Sequence, residues 1–206
     1  MSVIRAGTRE ELQDAHSKEW LFVDIGFSSK SRSCGYLHLR AGNDRKQLSA
    51  TASTFADLVA RLLSILQEGT SPLNLVIEAP LSVAFGENGN PCGRTCEKRE
   101  HETRYWYVGL GCTVLVAAQF LLSELNKAQR TREIRLFEGF VSFKTGQGPS
   151  DHKADVRSLA NVVLSGGTQG GRFVESQALD GKGHVRSLGK LLGMNFVPPL
   201  IVEVTQ

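Results

Sequence analysis

The chain has 206 residues, 41% of them hydrophobic and 22% charged, with a formal net charge of +3. That is ordinary globular composition with enough apolar residues for a sizeable core, and it excludes wholesale disorder. So small a net charge excludes any inference of a nucleic-acid partner from the total alone.

Met1 to Trp20 mixes charges freely and has no apolar leader. With four cysteines, this reads as a cytoplasmic, reducing setting without a disulfide framework. Thr8 and Glu11 form a capping-box pattern, which predicts a short helix ahead of the first strand. Trp20 to Phe27 is almost continuously apolar and reads as a central strand. A second strand is expected at Cys34 to Arg40, a turn at Ala41-Gly42-Asn43-Asp44, and a third strand returning over Lys46 to Thr51. Thr54 caps a helix whose Phe55, Leu58, Val59, Leu62, Leu63 and Leu66 recur at helical spacing, with Gly69 as its stop. Leu73 to Glu78 is the fourth strand, ended by Ala79-Pro80.

An irregular stretch covers Leu81 to Arg104. Tyr105 to Ser123 then carries no charge and approaches membrane-spanning length, but Gly109, Gly111, Thr113 and Gln119 fit a helix buried on a sheet, so no membrane partner is expected. Strand five follows at Ile134 to Phe140, then a helix from Asp151 to Leu164. Ser165 to His184, with six glycines and little periodicity, is expected to be a mobile loop, and Leu200 to Val204 a last short strand.

Two of these apolar strands end in an acid, at Asp24 and Glu78. A carboxylate at the end of a buried strand is costly to dehydrate without a partner, so the pair, with Asp151 and Asp155 on a later helix, suggests a shared metal site. Asp151 and Asp155 lie four apart and hence on one helix face, and His152 lies three before Asp155. Either aspartate suits the third ligand, although Asp151 is equally well placed as a helix N-cap.

The order of strands and helices, with Val23-Asp24-Ile25-Gly26, Ile77-Glu78-Ala79-Pro80 and His152-Lys153-Ala154-Asp155, resembles the ribonuclease H-like fold. The His-x-x-Asp form is similar to that of RuvC-type resolvases. More narrowly, Arg94-Thr95-Cys96-Glu97-Lys98-Arg99 after the acid-Ala-Pro strand resembles an uncharacterised family of predicted nucleases of that superfamily. The resemblance implies an α/β domain spanning residues 1–206 with a mixed five-stranded central sheet flanked by helices. Its core would lie at about 20–164, followed by a glycine-rich loop at 165–185 and a C-terminal extension.

The same resemblance implies a metal-dependent nuclease acting on DNA or RNA. Two Mg²⁺ or Mn²⁺ about 4 Å apart would suit phosphodiester hydrolysis, and such hard ions prefer carboxylate oxygen. Asp24 would bridge both ions, Glu78 would bind one and Asp155 the other, while His152 would orient the water or stabilise the leaving group. Glu138 on strand five would support the site from behind, or else face outward on an alternating strand. Lys30, Arg32, Lys98, Arg99 and Arg104 would touch the nucleic-acid backbone, and a second basic stretch holds Lys127, Arg130, Arg132 and Arg135. Cys92, Cys96 and His101 have zinc-like spacing but lack a local fourth ligand. Two further readings stand beside the nuclease. One is a non-catalytic ribonuclease H-like module that binds nucleic acid or a protein. The other is a phosphate enzyme of the actin-like type, suggested by Asp24 to Lys30. The apolar helix also leaves room for a homodimer.

Overall fold

The computed structural model describes residues 4–27, 32–42, 48–99, 101–103, 109–128, 132–141, 151–177, 179, 181–187 and 201–204. In chain order the elements begin with β1 (Ile4–Ala6), α1 (Arg9–Gln13), β2 (Glu19–Asp24), β3 (Cys34–Leu39), β4 (Thr51–Ser53), α2 (Phe55–Glu68) and β5 (Leu73–Glu78). Then come four short strands, β6 (Ser82–Gly86), β7 (Pro91–Cys92), β8 (Lys98–Arg99) and β9 (Glu102–Thr103), with a 3-10 turn at Thr95–Glu97. The chain continues through α3 (Leu110–Lys127), β10 (Ile134–Val141), α4 (His152–Leu164), β11 (Gly171–Val174), β12 (Gly183–Ser187) and β13 (Ile201–Val204).

The fold is α/β around one mixed sheet of order β11-β13-β10-β5-β2-β3-β4, with β1 also paired to β10. That makes eight strands, not the five expected from sequence. The additional ones are three- and four-residue pieces whose pairing partners are far away in the chain: β13 matches the last short strand expected from sequence, whereas no local periodicity announces β1 and β11. β1 runs parallel to the first half of β10 and β13 to its second half, so both occupy one edge of that strand. The stretch expected as a mobile loop supplies β11 and β12 instead. Likewise, Leu81 to Arg104 holds β6 to β9 rather than irregular chain, and the third strand begins at Thr51, with 43–47 outside the described residues.

Alternation along β2 explains the layers. Leu21 and Val23 enter one core with Leu58, Leu62 and Ile65 of α2 and Leu121, Leu122 and Leu125 of α3. Trp20 and Phe22 enter the other, with Val156, Leu159, Val162 and Val163 of α4. The sheet therefore lies between α2/α3 on one face and α4 on the other, each apolar stripe buried against it. The caps read from sequence form: Thr8 and Glu11 make a reciprocal box on α1, and the Thr54 side chain accepts from Asp57 N on α2. Among the described residues no helix is long and apolar enough to cross a membrane.

The amino ends of β2 and β5 are held by a buried cation. Arg132 is 1% exposed and donates to the Ile65 carbonyl at the end of α2 (2.9 Å), to the Ser71 carbonyl, and to Glu19 Oε2 (2.6 Å). Glu19 Oε1 lies 2.7 Å from His38 Nε2. A guanidinium at a helix C-terminus satisfies carbonyls the helix leaves open. Gly69 is needed for the same reason: a Cβ there would collide with the Arg132 guanidinium. Arg132 is thus a buried strut, not a phosphate contact, and Arg135 is paired with Glu133 and Glu11. Replacing Arg132 with Met should lower the unfolding free energy by about 3–5 kcal/mol, because it strands Glu19 and the α2 carbonyls. Arg61→Met, at the exposed ion pair with Glu68, should leave the denaturation midpoint unchanged.

Candidate metal centre

β2 and β5 run side by side in parallel, and their register sets Asp24 directly beside Glu78. Gly35 of β3 flanks Asp24 on one side, and Gly139 of β10 flanks Glu78 on the other. One row across four strands therefore reads glycine, acid, acid, glycine at the carboxyl ends of β2 and β5. Alternation puts this row on the same face as Trp20, Phe22 and Val76, the face that α4 covers.

The row lets α4 sit close. A Cβ at Gly35 would collide with the His152 carbonyl, and one at Gly139 would press on Leu159 and Val76 at 3.0 and 3.1 Å. A Cβ at Gly26 would collide with the His152 imidazole and the Ser33 carbonyl. Glycine inside a strand commonly marks such a close approach. The first turn of α4 thereby delivers His152 and Asp155, three residues apart on one side of the helix, onto the end of β2.

His152 Nδ1 lies 2.8 Å from Asp24 Oδ2. Asp24 is 2% exposed, Asp155 5% and Glu78 8%. One ligand atom each from Asp24, His152 and Asp155 falls within 4.8 Å of the others, so this buried trio could hold a metal ion. Two ligands at right angles around an ion at roughly 2.1 Å are about 3 Å apart, so the 2.8 Å gap suits adjacent ligands as well as a hydrogen bond. Two carboxylates and an imidazole form an oxygen-rich set with one borderline nitrogen, which accommodates Mn²⁺ and Mg²⁺ and extends to later transition ions.

Of the two helix acids left open by the sequence, it is Asp155 that joins the trio. Asp151 is exposed and caps α4, its Oδ1 accepting from Lys153 N (3.0 Å) and Ala154 N (3.2 Å). Those amide bonds, Ala154's foremost, hold its carboxyl below the ordinary aspartate range. Glu78 neighbours Asp24 in register but stands outside the trio.

Glu138 departs furthest from expectation. It pairs in register with Ile77, on the opposite face from Asp24 and Glu78, and is fully buried. It neither backs the acidic row nor faces solvent. Its Oε1 accepts from Arg94 (2.6 Å) and its Oε2 from Ser82 Oγ (2.7 Å). Arg94, 1% exposed, also bonds Glu97 Oε1 (2.9 Å), and its backbone N–H reaches Glu97 Oε2 (2.7 Å). Burial alone would lower the Arg94 guanidinium, but Glu138 and Glu97 hold it above its ordinary value. One cation thus faces two acids, and burial pushes the Glu97 carboxyl up. Sequence reading saw Arg94 and Glu97 only as a motif, since their partner Glu138 is 44 residues away from Arg94.

Of the basic residues, Arg32 and Lys98 are exposed; Arg99 lies in β8, and Lys30 and Arg104 fall outside the described residues. Among the described residues Cys92, Cys96 and His101 form no metal-binding group. Cys96 packs on Phe140, and burial pushes its thiol up to about 12. No family model, curated protein or solved structure matches this chain.

Three outcomes follow for denaturation and metal-titration measurements. Asp151→Ala should cost about 1 kcal/mol of stability and leave metal binding intact, whereas Asp155→Asn should abolish binding. Because its folded pKa is lowered, the Asp151 cap contributes fully above the unfolded value near 3.9 and fades as pH falls through the folded one. Arg94→Met should destabilise by about 3–5 kcal/mol at neutral pH by leaving Glu97 and Glu138 unpaired. That deficit should shrink as pH falls, since burial raises the Glu97 carboxyl, which then takes up a proton in the fold more readily than an ordinary glutamate does.

Proposed function

We propose that the chain is a divalent-metal-dependent nuclease that hydrolyses phosphodiester bonds in DNA or RNA. The observation that carries this reading is the row that brings Asp24 and Glu78 together at the carboxyl ends of parallel strands, with His152 and Asp155 lowered onto it by α4. Crevices outside the carboxyl ends of strands are where open α/β sheets bind ligands. The order of elements from β2 to α4 also accords with the ribonuclease H-like resemblance carried by the Asp24, Glu78 and His152-x-x-Asp155 motifs.

In this reading Asp24 and Asp155 hold one Mg²⁺ or Mn²⁺, and Glu78, beside Asp24, holds a second. Bound there, such ions supply charge stabilisation at phosphate and a water of lowered pKa. The chain's own part is positioning and proton movement. Nδ1 of His152 donates to Asp24 Oδ2, which fixes the ring and leaves Nε2 as the basic nitrogen. Nε2 can then accept a proton from the attacking water or pass one to the leaving oxygen. Arg32 and Lys98 are both exposed, and Arg32 would be the cation that meets phosphate.

One observation favours a second reading, a non-catalytic module. The Asp24–His152 contact would by itself fasten α4 to the sheet, and its carboxylate is almost wholly buried. Calorimetric titration with Mn²⁺ and cleavage assays on DNA and RNA separate the two. The nuclease reading expects Mn²⁺ binding that Asp24→Asn removes, cleavage abolished in the same variant, and a loss of roughly 10²–10⁴-fold in His152→Ala. Unchanged cleavage in Asp24→Asn would refute it, and no Mn²⁺ binding by the unaltered protein would favour the module.

A further inference from the structure

We propose that the outer face of the small sheet β12-β6-β7 is a platform for single-stranded nucleic acid, an inference that rests on the nuclease reading for its choice of ligand. β6 follows β5 after only Ala79-Pro80-Leu81, so this sheet grows directly out of the strand that carries Glu78. Its register pairs Phe85 with His184 and Val83 with Arg186. Ser82, Ala84 and Ser187 are buried toward the body of the protein, and Ser82 is tied to Arg94 and Glu138. Alternation therefore places Phe85, His184 and Arg186 together on the opposite, outer face.

That face carries the two elements of single-strand recognition. The Phe85 and His184 rings stack with centroids 5.5 Å apart and planes inclined by 19°, and His184 is exposed. One side of the imidazole is covered by Phe85, and a nucleobase can stack on the other. Arg186 is exposed two residues further along β12, about 7 Å away, and makes no ion pair with an acid among the described residues. A base on His184 thus puts an adjoining phosphate within reach of a guanidinium. Nearby, Lys182 and Glu87 pair with each other at 3.6 Å.

The ligand has to be a single strand or a frayed end, because bases inside a duplex offer their faces to one another and not to a ring. Reach agrees with a shared strand. Phe85 is seven residues beyond Glu78, at most roughly 24 Å of extended chain, and single-strand sites of this kind commonly cover about 4–16 nucleotides.

The test is fluorescence anisotropy in EDTA, which removes any contribution from metal. The probes are labelled oligothymidylate and oligouridylate of about 16 nucleotides and a duplex of the same length. The unaltered protein should bind the single strands more tightly than the duplex, and the ratio of the two single strands assigns the preferred sugar. His184→Ala and Arg186→Ala should each weaken binding about tenfold with unchanged melting temperature. Arg186→Ala should also reduce the log–log salt slope by about 0.7, the signature of one lost phosphate contact. No binding to single strands, a preference for duplex, or unaltered binding in the double variant would overturn the platform. Asp24-dependent cleavage with unaltered binding in the double variant removes the platform and keeps the nuclease. Binding that needs His184 and Arg186 without metal-dependent cleavage does the reverse.

Discussion

The close approach of α4 to the sheet is the constraint on which the rest of the molecule turns. A helix normally rides about 10 Å above a sheet because side chains fill the gap. Here Gly35 and Gly139 remove those side chains at both ends of one cross-strand row, and Asp24 and Glu78 occupy the middle of it. The helix backbone at His152 therefore comes down against β3, and its first turn reaches the end of β2. Without that descent the two strand-end acids would have neither a histidine nor a third carboxylate beside them. Packing and chemistry are one arrangement at this point: the absence of two Cβ atoms sets the distances among ionisable groups.

Charge is distributed along the strands with a consistent logic. At the amino ends of β2 and β5, Arg132 is saturated by Glu19 and by carbonyls of Ile65 and Ser71, so that end is neutralised and closed. At the carboxyl ends, on the α4 face, Asp24 and Asp155 converge with His152, a set whose ligand atoms could hold a metal ion. Across the sheet, Glu138 and Glu97 share Arg94, a second acid-rich cluster, but one already filled by protein donors. The two clusters differ in chemistry: the first sets an imidazole among carboxylates, the second a guanidinium.

Much of this could be read from the sequence, for identifiable reasons. β2, α2, β5, β10 and α4 have strong periodicity or continuous apolar runs, and their expected spans match the structure closely. The pairing of Asp24 with Glu78 followed from strand order. What escaped was non-local. The resemblance implies Glu138 as support for the acids, yet it lies one residue from the position opposite Glu78, and a single step along a strand turns a side chain to the other face. β1 and β11 are too short to carry a pattern and exist because β10 and β13 are there to pair with. Gly35, isolated within an apolar strand, is the residue in the sequence that signals the close helix.

The division of one β10 edge between β1 and β13 has a bearing on solubility. A core of parallel strands this apolar would, if it ended in a long bare strand, offer a row of open amides and carbonyls to any other extended chain. The described sheet instead ends in β11, four residues with an arginine paired to Glu203, and in β4, three residues leading straight into α2. Among the described residues, breaking the margin into stubs leaves only short stretches of open backbone at the two ends of this sheet for another extended chain to meet.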